Sequence, residues 1–202
     1  MNASNTWTPR RILGAERRSR AFTLIELMIV VAIVGILAVL AVYGVRKYIS
    51  NAKTAEARNA LGRMANAAVT EFENEKMAAT VLTPGSSSSL SRALCKSSSV
   101  TVPSSASFIQ GKKYQSTSAD WSADSAGNSG FTCLHFTIDE PQYYMYSYAS
   151  PGSGSAGDSF VATANGDLNG DGVMSTFQIT GSVNTSMVVN VAPNMLIVNE
   201  DE

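Results

Sequence analysis

Histidine occurs once in the 202 residues, at His135. A lone imidazole gives no basis for a Ser/His/Asp relay, and the expectation for His135 is a packed or surface side chain, not a base or a metal ligand. Cysteine is nearly as scarce: Cys95 and Cys133 are too few and too far apart for a metal or redox motif. A basic surplus is also missing, since the net charge is −1. That excludes the broad basic face on which general nucleic-acid affinity rests. Proline is absent between Pro9 and Pro84, so nothing in that stretch forbids a very long helix. With no catalytic cluster in view, the chain reads as a non-enzyme.

What is present is unevenly distributed. Arg10, Arg11, Arg17, Arg18 and Arg20 against Glu16 give the first 21 residues a charge of +4, leaving −5 for the rest. An apolar run from Phe22 to Val45 follows, in which Glu26 is the only strongly polar side chain and Thr23 and Tyr43 are mild exceptions. A run of about 20 apolar residues is long enough to cross a hydrocarbon core as a helix. The arginines before it outnumber Arg46, Lys47 and Lys53 after it, which places the N-terminus in the cytoplasm and the body outside. In that compartment a disulfide between Cys95 and Cys133 is the expected state. An ionisable residue inside a span is a functional candidate by default, the plainer alternative for Glu26 being a side chain that snorkels to the headgroups.

The helical pattern continues past the span. Tyr48, Ala52, Ala55, Leu61, Met64, Ala65, Ala68 and Phe72 recur at spacings of three and four, an amphipathic continuation of the apolar helix. A helix over residues 22 to about 79 spans roughly 85 Å at 1.5 Å per residue. That is too long for a membrane or for one small domain to bury, so another partner must shelter part of it.

Basic residues, then a small residue, then "FTLIELMIVVAIVGILA" resembles the N-terminal signature of type IV pilins and pseudopilins over residues 20–42. The resemblance implies cleavage between Ala21 and Phe22 by a prepilin peptidase that also methylates the new amino group of Phe22. It implies that Glu26 pairs with the N-terminus of a neighbouring subunit, so that Phe22 and Glu26 are assembly residues and the chain polymerises with copies of itself. Further partners implied are the membrane before assembly and an inner-membrane platform with its motor ATPase. The chain departs from the family in three places: Ala21 stands where glycine is common, Tyr43 stands where many members have proline, and the leader of residues 1–21 is long.

After Thr80 the composition turns to Ser, Gly, Thr and Asn, with "SSSSLSRALCKSSSVTVPSSAS" reading as a solvated loop of little structure. Strand-like runs follow: "SGFTCLHFTI", carrying Phe131, Cys133 and His135 in alternation, then "QYYMYSYA", "DSFVATAN", "STFQITG" and "TSMVVNVA". The expected fold is therefore α+β, with the long helix over residues 22–79 packed on an antiparallel sheet in a head spanning 80–202, as in the pilin fold. The disulfide is expected to pin the serine-rich sequence onto a strand, closing a loop of about 39 residues worth roughly 3–4 kcal/mol in the chain-entropy model.

One stretch keeps two readings. In "NGDLNGDGVMSTFQ", Asp167, Asn169 and Asp171 at spacings of two, with Gly172 next, match the first half of a calcium loop. Position 12 is Gln178, which offers no bidentate carboxylate. A weak calcium site and a tight turn that needs no ion are both open, and no other cofactor is expected. The function implied by the resemblance is a structural subunit of a type IV pilus serving twitching motility, adhesion and DNA uptake. The alternatives are a minor pilin or type II secretion pseudopilin and, more remotely, a domain on an uncleaved membrane anchor.

Overall fold

A computed structural model describes residues 21–77, 82–87, 90–200 and 202. The expected basic leader, up to residue 20, and residues 78 and 79 of the expected helix lie outside them. Helix α1 runs Leu24–Glu73, and the chain divides into two compact units, Met1–Gly44 and Val45–Glu202.

In the first unit α1 is a bare apolar rod. From Ala21 to Gly44 every described residue is exposed, including Leu24, Ile25, Val31, Ile36 and Val39 at 52% or more. By length and composition this part of α1 can cross a membrane.

In the second unit α1 becomes one wall of a core. Thr54, Ala57, Ala60, Leu61, Met64, Ala65, Ala68 and Phe72 are buried, a single stripe at helical spacing. The alanines let the helix approach closely, and each fully buried Leu, Met or Phe contributes about 1.5–3 kcal/mol by leaving water. Opposite lies an antiparallel sheet of β3 (Tyr144–Ala149), β4 (Ser159–Gly166), β5 (Ser175–Val183), β6 (Val189–Val191) and β7 (Leu196–Val198). The order is β3-β4-β5-β6, with β7 also pairing β5. Period-two alternation aims Tyr144, Tyr146, Tyr148, Phe160, Ala162, Ala164, Phe177 and Ile179 at the core they share with the helix stripe. The α+β class expected from the sequence holds.

Two strand glycines make room for rings. Gly166 faces Tyr144 across β3–β4 and Gly181 faces Phe160 across β4–β5. A Cβ on Gly166 would stand 2.5 Å from the Tyr144 ring, and one on Gly181 would stand 2.3 Å from the Phe160 ring.

Four expectations need correction. The helix stops at Glu73, short of residue 79: its last turn holds Glu71 and Glu73 and no basic residue, an unfavourable charge at that end of the dipole. Beyond it β1 (Lys76–Met77) pairs β2 (Leu90–Ser91). "SGFTCLHFTI" is not a strand. Gly130–Cys133 forms α3, a single helical turn, and His135 follows at φ 50°. Packing decides this: the turn brings the Phe131 and Phe136 rings to 5.0 and 5.4 Å from Trp121.

"TSMVVNVA" is a strand only over Val189–Val191, because Asn184 Oδ1 accepts the N–H groups of Ser186 and Val188 and turns the chain first. Nor is the serine-rich stretch a solvated loop. It runs along the outer edge of β3, where Val102 and Tyr146 exchange N–H···O bonds of 3.0 and 2.8 Å. Ser98 Oγ donates to the Tyr148 carbonyl and accepts its N–H, and Ser97 Oγ does the same at Ser150. Serine hydroxyls thus complete the ladder, sealing that edge of the sheet.

Candidate functional site

The first candidate lies where α1 begins. Thr23 is the last non-helical residue, and it closes on Glu26 in both directions. Thr23 N–H donates to Glu26 Oε2 at 2.9 Å, Thr23 Oγ1–H donates to the same oxygen at 3.0 Å, and Glu26 N–H donates to Thr23 Oγ1 at 3.2 Å. This is a capping box, in which two of the helix's orphan donors are satisfied reciprocally. Among the described residues, the bonds to the carboxylate all fall on Oε2, which leaves Oε1 open to a further donor. Phe22, 83% exposed, stands one residue ahead of the cap, and Ala21 precedes it. Ala21, Phe22 and Glu26 are thus within two residues of one cap, and Thr23 is the participant that sequence reasoning missed. Its signal was present: T-x-x-E before an apolar run is a helix-start signature.

The second candidate is the turn between β4 and β5. Asp167 is fully buried, with Oδ1 accepting Gly170 N–H at 2.6 Å and Oδ2 accepting Gly172 N–H at 2.9 Å. Asn169 Oδ1 accepts Asp171 N–H, and Asp171 Oδ1 accepts Val173 N–H, both at 2.8 Å. Oxygens that a calcium loop aims at an ion are here engaged by the turn's own N–H groups. Gln178, the twelfth position, lies inside β5 opposite Thr163 and not on the loop. The residues close a hairpin and do not fit the second half of a calcium loop.

Cys95 and Cys133 form a disulfide with Cα atoms 5.8 Å apart. It joins the edge-sealing stretch to α3, not to a strand. The Glu71 carboxylate approaches within 4.8 Å of both sulfurs, but sulfurs bonded to each other are not thiolate ligands. His135 Nε2 stands 3.5 Å from Glu71 Oε1, largely in solvent.

A third group had no sequence signal. Glu56, half-buried on α1, receives Tyr143 N–H at 2.8 Å and Tyr146 O–H at 3.2 Å, both on Oε1. Burial pushes its carboxyl above the ordinary range, against the opposing pull of these two bonds and of Lys113. Lys53 Nζ and Lys113 Nζ stand 4.8 and 4.6 Å from the centre of the Tyr143 ring.

Residues 17–42 match the prokaryotic N-terminal methylation motif. The match covers the end of the basic leader, the Ala21–Phe22 junction, the capping box and most of the apolar rod, and in this segment the chain is type IV pilin-like. No curated protein and no solved structure matches the chain.

Proposed function

We propose that this chain is a structural, non-enzymatic subunit of a type IV pilus, the major one, made as a membrane-anchored precursor and polymerised into a helical surface filament. The observation that carries the reading is the methylation motif placed over a helix start whose glutamate is already held in position and whose apolar surface is bare.

The chemistry runs in order. Cutting between Ala21 and Phe22 creates an ammonium at the N-terminus of α1. A cation there opposes the positive end of the helix dipole, so it needs an anion. Glu26 of the same chain is engaged on Oε2 with Thr23, and its Oε1 is suited to receive the amine of a neighbour. In a low-dielectric membrane such a pair is far stronger than in water, and it fixes one subunit's start against the next. Repeating that head-to-tail contact without closing a ring gives an open helix of subunits. Bundling then covers the apolar residues that the single chain leaves exposed. The partners of this cycle are a prepilin peptidase, an inner-membrane assembly platform and its motor ATPase, and the filament serves twitching motility, adhesion and DNA uptake.

The test is the N-terminal residue and intact mass of protein from sheared surface filaments, beside a Glu26→Ala variant. Fibres that begin with methylated Phe22, and a variant that is processed yet absent from them, are expected. An intact Met1, or Glu26→Ala fibres in normal number, overturns the reading in favour of an uncleaved anchored domain. Copy number at the surface separates a major pilin from a minor pilin or a pseudopilin.

A further inference from the structure

Just past the apolar run, in the second unit, α1 and the β4–β5 loop border an open cleft of about 310 Å³ lined by Arg46, Ile49, Ser50, Lys53, Leu168 and Asn169. Arg46, Ser50 and Lys53 are spaced by four and three residues, so they share one face of the helix. Ser50 Oγ is buried and has no hydrogen-bond partner among the described residues. A buried hydroxyl left unpaired costs about 1–3 kcal/mol, which an acceptor in the cleft recovers. Arg46 has no ion pair among the described residues, and Lys53 is steadied only by the Tyr143 ring. Across the cleft Asn169 spends its Nδ2 on Asp171 and Glu202, so both cations come from the helix side.

We infer that this cleft binds the phosphate of an anionic glycerophospholipid. The cations are about 10 Å apart along the helix axis at 1.5 Å per residue, a span that one headgroup bridges, with Ser50 donating to a phosphate oxygen between them. Ile49 and Leu168 offer the apolar wall that suits a glycerol backbone and the start of an acyl chain. Position supports the same ligand: Arg46 follows directly on Val45, the last residue of the apolar run, where a membrane-inserted chain meets the phosphate layer. Asp171 and Glu202, behind Asn169, compete for the cations, so binding weakens with salt. The inference rests on the reading that the chain is membrane-inserted.

The experiment uses the full chain in neutral detergent, with bound phosphatidylglycerol and phosphatidylcholine counted by native mass spectrometry and partition into vesicles of each lipid measured in parallel. One retained phosphatidylglycerol per chain is expected. It falls at least fivefold in Arg46→Gln/Lys53→Gln and severalfold in Ser50→Ala, and does not fall in Lys76→Gln/Arg92→Gln, whose cations lie elsewhere on the head. Equal retention in wild type and Ser50→Ala, with the disulfide intact in both, overturns the site. Inorganic phosphate that binds the same residues as tightly as the lipid overturns the lipid assignment. A chain that partitions into vesicles without preferring the anionic lipid sinks this inference alone, whereas one that does not enter vesicles sinks the membrane reading with it.

Discussion

Glu56 ties the helix to the sheet through a single oxygen, and that arrangement sets a pH dependence. Burial raises its carboxyl above its unfolded value, so the folded chain holds the proton more tightly than the unfolded one. The contribution is present in full below about pH 4.5 and is lost as pH rises through the folded value. Because Tyr143 N–H and Tyr146 O–H both donate to Oε1, a glutamine keeps the acceptor and removes the charge. Glu56→Gln is expected to gain stability relative to wild type between pH 4 and pH 7.5, measured as urea midpoints at the two values. A gap between the two proteins that does not change with pH would refute the argument. Nothing in the sequence pointed to this residue, since its partners lie 87 and 90 positions away. Thr23 and Glu26 were legible, because their spacing is itself the capping signature. Asp167, Asn169 and Asp171 were legible only as far as a turn, because calcium loops and ion-free turns draw on the same oxygen-bearing residues.

At the scale of elements, the cross-strand pairs of ring and glycine fix how closely β3, β4 and β5 lie beneath their aromatic side chains. Gly181→Ala drives a methyl into the Phe160 ring and is expected to cost about 1–3 kcal/mol in urea unfolding, the range for overpacking. Gly62→Ala is the contrasting case: a Cβ there meets nothing within 4 Å, and the change is expected to stabilise α1 by about 0.5–1 kcal/mol. A neutral Gly181→Ala would mean that the rings move aside freely. The long elements were readable because their periods repeat: 3.6 along α1, 2 along β3, β4 and β5. Failure came where repetition is too short. Phe131, Cys133 and His135 alternate like a strand, yet contact with Trp121 winds part of that segment into a turn, while β1, β2 and β7 have two or three residues and no pattern to read.

At the scale of the whole molecule, the unit from Val45 to Glu202 carries the buried stripe of α1, the sheet and the disulfide, whereas the described part of the unit before it buries nothing. A chain beginning at Val45 is therefore expected to be a soluble monomer by size exclusion, gaining 2 Da on reduction, as one disulfide requires. Insolubility, or free thiols, would show that the head needs the rod in order to fold. The division itself was readable from hydropathy, but the sealing of the sheet was not, because serines that finish a ladder look in sequence like serines in a loop. That sealing has a consequence for crowding. Heads held side by side at high density are at risk of zipping sheet to sheet, and such strand exchange is slow to undo. Here the serine stretch occupies one margin, and β6 and β7, three residues each, break up the other. Subunits that cannot recruit one another's strands can be disassembled one at a time, which a fibre that is withdrawn as well as extended requires.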